Sequence, residues 1–132
     1  MNTKQIGDIS QIKVMTKLLQ MEYSVSVPFG DNQRYDIIFD NGSLNRVQCK
    51  TGRIKDNAIN FPTASTYAHR GGNRKSYKEE VDYFGVYCPD NDKVYLIPIT
   101  ELEGCDTYAT LRLSPAKNNQ TKNIRLAEKF LV

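Results

Sequence analysis

The sequence contains few of the residues on which metal clusters and thiol chemistry depend. Its 132 residues include one histidine, His69, and three widely separated cysteines, Cys49, Cys88 and Cys105. Because no CxxC pair or neighbouring histidine accompanies them, a zinc module or a disulfide scaffold is excluded, and we expect reduced thiols in the interior. A single histidine also leaves a His-based metal cluster or a Cys–His nucleophile pair without partners.

Long apolar runs are missing too. No stretch approaches the roughly 18 to 20 apolar residues that a membrane helix needs, and residues 1–10 show no basic-then-apolar signal pattern. With 132 residues and 39% apolar content, the chain is long enough for one core and short for two packed domains. We therefore predict a single domain over 1–132, located in the cytoplasm and without a membrane partner.

The net charge of +3 conceals blocks of opposite sign. Residues 46–78 hold eight bases and one acid, residues 79–106 hold eight acids and one base, and residues 107–132 hold five bases and one acid. The two basic blocks therefore carry +7 and +4. Such blocks suit a polyanionic partner, although solvated basic loops have the same composition.

The hydrophobic pattern predicts a helix, then strands, a basic loop, further strands and a last helix, an order typical of a mixed α/β or α+β fold. The turn residues 40–43 predict an antiparallel hairpin. Residues 62–78 and 115–123 keep no apolar period, and the first is too long for a plain connection. The helices are predicted over 3–21 and 124–131 with one turn over 99–102, and the strands over 23–27, 35–39, 44–50, 58–61, 83–88, 93–98 and 111–113.

An aspartate and a lysine form the most informative polar pair. Asp36 precedes the apolar run 37–39, where an unpaired carboxylate is costly to bury, and the predicted hairpin brings Lys50 near it. Gln48 shares the face of Lys50, because side chains two apart on a strand point the same way. A structural ion pair explains this arrangement. The alternative is a divalent cation held by Asp36 through oxygen contacts, with Lys50 polarising an attacking water.

These segments, in this order, resemble the PD-(D/E)XK nuclease superfamily, whose motif is a strand Asp followed by Asp or Glu, any residue, and Lys. The closer resemblance is to the small homing endonucleases of cyanobacterial type that group I introns encode. It implies a restriction-endonuclease-like α/β core, an α+β mixed sheet flanked by helices. It covers most of the chain, through Gly7-Asp8-Ile9, Pro28-Phe29-Gly30-Asp31-Asn32, Arg34-Tyr35-Asp36, Arg46-Val47-Gln48-Cys49-Lys50-Thr51-Gly52-Arg53 and Lys117-Asn118-Asn119-Gln120.

The resemblance implies a catalytic set of Asp36, Gln48, Lys50 and, on the first helix, Gln11. It also implies Mg2+, with Mn2+ or Ca2+ as substitutes in crystals. The implied ligands are Asp36, the Cys49 backbone carbonyl and side-chain oxygen from Gln48 or Gln11, while Lys50 orients and activates the water.

Two of these positions depart from the pattern. Gln48 replaces the acid of the motif, which is a known variant in this group, and Gln11 stands where such nucleases usually have Glu. Asp36 is then the only obvious anionic ligand, which weakens the hold on magnesium. Gln11 lies on the apolar stripe of the first helix. It is either the natural residue or an engineered isosteric replacement of Glu, and the sequence leaves both open.

The resemblance and the charge blocks together predict double-stranded DNA as the partner. Arg, Asn and Gln read base edges in the major groove, whereas Lys mostly contacts phosphates. Solvated surface loops are the alternative for both basic segments. The predicted DNA-binding residues are Arg53, Lys55, Tyr67, His69, Arg70, Arg74, Lys75, Lys78, Lys117, Asn118, Asn119, Gln120 and Lys122.

The sequence therefore predicts a site-specific double-stranded DNA endonuclease, a homing endonuclease, that hydrolyses phosphodiester bonds with Mg2+. One chain carries one site, so cutting both strands requires a homodimer, and the resemblance also allows a dimer-of-dimers homotetramer. The acidic segment 79–106 is expected to face away from DNA. A Holliday junction resolvase or a restriction-type nuclease has the same core motif, and a catalytically inactive DNA-binding module is the alternative outside the enzymes, because of the amides at Gln11 and Gln48.

Overall fold

The first element of the chain is a helix with a well-formed N-terminus. The computed structural model describes residues 1–30, 33–64, 80–115 and 124–132, and helix α1 spans Thr3–Gln20. The Asn2 side chain accepts a hydrogen bond from the Gln5 backbone N–H, and the Gln5 side chain accepts one from the Asn2 N–H. This capping box satisfies N–H groups that a helix otherwise leaves unpaired. The helix predicted over 3–21 is confirmed.

In the part of the chain that the structure describes, eight strands follow and form two sheets. The larger sheet has the order β1-β2-β3-β6-β7, and all its neighbouring strands are antiparallel except the parallel pair β3 and β6. The smaller sheet has the antiparallel order β4-β5-β8. In chain order the strands are β1 Ser24–Ser26, β2 Ile37–Asp40, β3 Leu44–Thr51, β4 Arg53–Lys55, β5 Ala58–Pro62, β6 Tyr83–Cys88, β7 Lys93–Pro98 and β8 Tyr108–Arg112.

The larger sheet is covered on both faces. Side chains alternate along β6, so that Phe84 and Val86 join a core with β5 and β8, while Tyr87 joins a core with α1. Helix α1 contributes Val14 and Leu18 to this second core, and both are almost fully buried. The mixed α+β fold is therefore confirmed, with α1 on one face of the larger sheet and the smaller sheet on the other.

Gly85 allows α1 to approach the sheet closely. A Cβ atom on Gly85 would lie 2.7 Å from Val14 Cγ1 and 3.1 Å from Val47 Cγ1, which is closer than side chains pack. The helix therefore lies directly over β3 and β6, the two central strands. This close packing holds the α1 side chains beside the strand residues of the candidate site.

Two elements differ from the sequence expectation. The helix predicted over 124–131 is a 3-10 turn, Ala127–Phe130, because Leu126 and Leu131 on either side form isolated bridges with β8 and β7 and are therefore extended. Strand β4 was not predicted, since its residues are polar and mostly exposed. The predicted turn over 99–102 is a 3-10 helix, Ile99–Leu102.

Two other expectations concern side chains and membrane contact. All three cysteines are free thiols, and Cys88 is buried, whereas Cys49 and Cys105 are partly exposed. Within the described ranges, no helix has the length and apolar character needed to cross a bilayer.

Candidate active site

Asp36 lies immediately before β2 and is held by two hydrogen bonds to β3. Its backbone N–H donates to the Val47 carbonyl (2.8 Å), and its Oδ2 accepts from the Cys49 backbone N–H (2.8 Å). Burial raises the pKa of Asp36 above its usual value, although the Cys49 hydrogen bond and the Lys50 charge act in the opposite direction. The side chain is thus a partly buried carboxylate in a fixed position.

Lys50 is the basic side chain whose charge acts on the Asp36 carboxylate. Burial lowers the pKa of Lys50; the Asp36 charge opposes the shift, and the Arg34 charge adds to it. The neighbouring Cys49 thiol is affected as well, since burial and then the Asp36 charge raise its pKa well above the usual value. A lysine with a lowered pKa beside a carboxylate with a raised pKa is a common sign of a functional site.

A cleft of about 200 Å3 places α1 beside Asp36. Gln11 and Asp36 both line it, as do Tyr35 and the loop residues Pro28 and Gly30. The structure therefore brings Gln11 of α1 and Asp36 to one cleft, while the catalytic role of each stays a prediction. Gln48 and Lys50 are absent from the described lining of this cleft, and both lie on β3 with their side chains half-buried.

Beside the cleft, a polar contact fixes α1 against β3. The Ser10 and Thr51 hydroxyl groups share a hydrogen bond, and Ser10 is almost fully buried. Ser10 precedes Gln11 and Thr51 follows Lys50. The contact therefore joins the two elements at the residues next to the candidate catalytic side chains.

The candidate donors suit a hard divalent cation only weakly. Among the described residues there is no cluster of three or more His, Cys, Asp or Glu side chains placed to hold a metal. The available donors are oxygens: the Asp36 carboxylate, the Gln11 amide across the cleft, the Gln48 amide and the Cys49 carbonyl. Oxygen donors are the ligands that Mg2+ and Ca2+ prefer. The set fits such a cation in type, with one negative charge among its members.

An ion pair that the sequence did not indicate lies next to this site. Arg34 Nε is 3.1 Å from Glu80 Oε2, and the two side chains are 14% and 27% exposed. Arg34 is close enough to affect Lys50 electrostatically, and its sequence neighbours Gln33 and Tyr35 line the cleft. The two partners are distant in sequence, so no local pattern could have revealed the pair.

Other acids of segment 79–106 also pair with bases. Asp82 contacts the Arg46 side chain and Asp90 contacts the Arg53 side chain, with side-chain nitrogen–oxygen distances of 3.2 and 4.0 Å, and Asp92 contacts Lys13 at 3.3 Å. Asp90 Oδ2 also accepts the Ile54 backbone N–H. The acidic segment therefore neutralises part of the basic surface, while its orientation relative to DNA stays a prediction.

The predicted DNA-binding residues are only partly visible in the structure. Arg53 and Lys55 lie on β4 with exposed side chains. The others lie outside the described residues, in segments 65–79 and 116–123: Tyr67, His69, Arg70, Arg74, Lys75, Lys78, Lys117, Asn118, Asn119, Gln120 and Lys122.

A helix over a mixed sheet, with an aspartate just before one strand and a lysine on the neighbouring strand whose charges act on each other, is the arrangement of the PD-(D/E)XK nuclease class. The sequence profile of the PD-(D/E)XK endonuclease family matches residues 1–132. The chain belongs to this family.

Two solved structures were compared with the chain. A bacterial homing endonuclease, I-Ssp6803I, is 21% identical with a TM-score of 0.70, and the alignment covers 98% of this chain and 86% of that one. A Holliday junction resolvase, Hjc from Archaeoglobus fulgidus, is 14% identical with a TM-score of 0.48, and 93% of each chain is covered. The first similarity establishes a shared fold. No curated protein matches the sequence.

Proposed function

We propose that this protein is a magnesium-dependent homing endonuclease that hydrolyses phosphodiester bonds at a specific site in double-stranded DNA. The observation that carries the proposal is the position of Asp36. Its carboxylate accepts a hydrogen bond from the Cys49 N–H, interacts electrostatically with Lys50, and lines the same cleft as Gln11. Family membership supports endonuclease chemistry. The fold shared with a bacterial homing endonuclease supports the choice of substrate.

In the proposed mechanism, each side chain has a separate task. Asp36, with oxygen from Gln11, Gln48 and the Cys49 carbonyl, would hold the divalent cation, whose charge neutralises the negative charge that builds up on the scissile phosphate. Lys50 orients the attacking water and helps to remove its proton, for which its lowered pKa is favourable. Partial burial of this pair strengthens these interactions, because less water screens them.

Double-strand cutting requires a second site. One chain supplies one Asp36–Lys50 pair, so we propose that a homodimer, or a homotetramer made of two dimers, binds a target with twofold symmetry. The exposed bases of β4 and the two basic segments would contact phosphates and base edges. Binding should weaken steeply as salt increases, because contacts to phosphates release bound cations.

The test is cleavage of a supercoiled plasmid library that carries random inserts. With magnesium, the wild-type chain should convert particular plasmids to the linear form, and sequencing of the ends maps the target. Asp36→Asn should leave them uncut, while Asp40→Asn, on the exposed end of the same hairpin, should cut like wild type. Equal cutting by Asp36→Asn would overturn the proposal.

The amide side chains of Gln11 and Gln48, which stand where acids are expected, favour a second candidate function. If neither the wild-type chain nor Gln11→Glu cuts any plasmid, while both bind DNA in a salt-dependent way, the protein is a DNA-binding module that has lost catalysis. Cutting of a four-way junction regardless of its sequence would instead identify a resolvase.

A further inference from the structure

Phe29 differs from every other phenylalanine of the chain in its exposure. Phe39, Phe61, Phe84 and Phe130 are at most 7% exposed, whereas the relative exposure of Phe29 is 104%. Val27, two residues earlier, is 56% exposed. An exposed apolar group gains free energy when a partner covers it. The pair therefore forms a small apolar patch, which we call the Phe29 patch.

The Phe29 patch stands at the rim of the candidate active site. Val27, Pro28 and Gly30 line the cleft that contains Asp36 and Gln11. Gly30 has a φ of +87°, a conformation that favours glycine, so the chain turns sharply directly after Phe29. The turn leaves the ring in solvent beside the opening. Pro28 and Gly30, on either side of Phe29 in the chain, both line this cleft, so a polymer bound there lies close to this segment.

We propose that Phe29 is an apolar wedge that inserts against the bases of the DNA step next to the phosphate in the cleft, an inference that rests on the proposed function. The faces of nucleic acid bases are the apolar surfaces that such a ring can cover, and exposed phenylalanines in DNA-binding proteins unstack base steps in this way. The ring has no charge. Its contribution to affinity should therefore not depend on salt, unlike that of the basic segments.

The test uses the full chain with Asp36→Asn as the parent, which is expected to bind without cutting. The probe is a duplex carrying the mapped cut site, with 2-aminopurine on either side of the cut, because the fluorescence of this base increases when it unstacks. Phe29→Ala is compared with Phe29→Leu, which keeps an apolar wedge. The matched control is Leu44→Ala, which removes another exposed apolar side chain (71%) at the distant end of the β2–β3 hairpin.

The parent and Leu44→Ala should bind with a clear rise in fluorescence, and Phe29→Leu should keep most of it. Phe29→Ala should lose the rise and bind about tenfold more weakly with the same dependence on salt. An unchanged rise and affinity in Phe29→Ala would overturn the inference. So would a smaller oligomer of free Phe29→Ala with a normal rise, since the ring would then belong to a subunit interface. If the parent binds no duplex, the proposed function fails, and the wedge fails with it.

Discussion

The Cys49 backbone N–H donates a hydrogen bond of 2.8 Å to Asp36 Oδ2. Cys49 adjoins Lys50 on β3, so the bond ties the carboxylate to the strand that carries the candidate catalytic lysine. The Asp36 N–H also donates to Val47 on this strand. The position of the carboxylate relative to β3 is therefore set by hydrogen bonds to the backbone of that strand.

Removing the lysine should stop the chemistry and spare the complex. Lys50→Ala should reduce the rate of plasmid cleavage by at least about 100-fold, because the water loses the group that orients and deprotonates it. Binding should change by less than a few-fold. The measurements are single-turnover cleavage and a gel-shift titration, with Lys93→Ala, at the exposed start of β7, as the control. Weak binding with retained cleavage would contradict the assigned role.

Restoring an acid on α1 should strengthen metal binding. Gln11→Glu adds a second negative charge to the cleft shared with Asp36. Half-maximal cleavage should therefore need several-fold less magnesium, and calorimetry with Mn2+ should give a correspondingly tighter site. Gln20→Glu, at the end of the same helix, is the control. An unchanged affinity for Mn2+ in Gln11→Glu would show that position 11 does not face the cation.

The two arginine–acid pairs should differ in their contribution to stability. Glu80→Gln removes the carboxylate charge that lies 3.1 Å from Nε of Arg34, a side chain only 14% exposed, and we expect a loss of roughly 1 to 3 kcal/mol in the free energy of unfolding. Asp82→Asn acts on the more exposed Arg46 pair and should cost less than about 1 kcal/mol. Urea unfolding measures both. Equal losses would mean that burial does not distinguish the pairs.

Asp82 and Asp36 should affect acid stability with opposite signs. Partial burial raises the pKa of Asp82, but the hydrogen bonds and charge of Arg46 outweigh it and hold the pKa below its usual value. The unfolded chain then binds more protons than the folded chain as the pH falls through this region, so stability is lost there. Asp82→Asn should make urea midpoints fall less between about pH 5 and pH 2. The effect should be small, because the side chain is 39% exposed.

Asp36 provides the contrasting measurement. The pKa of Asp36 is raised, so the folded chain binds the Asp36 proton more tightly than the unfolded chain does. The contribution of Asp36 to the free energy of unfolding is therefore present at low pH and declines as the pH rises through the raised pKa. Asp36→Asn should remove that decline and keep the hydrogen bond from Cys49, since an amide oxygen also accepts. A steeper decline in Asp36→Asn would contradict the raised pKa.

Local patterns predicted most of the larger sheet. Alternation and turn residues located the hairpin around 40–43, and the strands Tyr83–Cys88 and Lys93–Pro98 agree with their predicted bounds. Strand β4 has no such pattern, because Arg53 and Lys55 flank a single apolar residue. Its place is determined by pairing with β5, a contact between segments that neither sequence shows alone.

The same distinction applies to the candidate site. Asp36 and Lys50 could be placed together because one hairpin joins their strands. The contact of Arg34 with Glu80, and the covering of Gly85 by Val14, depend on packing between distant segments. The exposure of Phe29 was likewise hidden, since a phenylalanine between a proline and a glycine is equally consistent with a buried turn.

The hydroxyl pair of Ser10 and Thr51 decides something that the apolar core leaves open. Val14 and Leu18 are one helical turn apart, so a helix displaced by about 5.4 Å along the sheet would still place one of these two apolar residues where the other now packs. A displaced helix would separate the two hydroxyls and strand a buried oxygen without a partner, at a cost of roughly 1 to 3 kcal/mol. The hydroxyl pair thus selects one alignment of α1 on the sheet among those that apolar packing alone would allow. In this alignment, Gln11 and the Asp36 carboxylate line the same cleft.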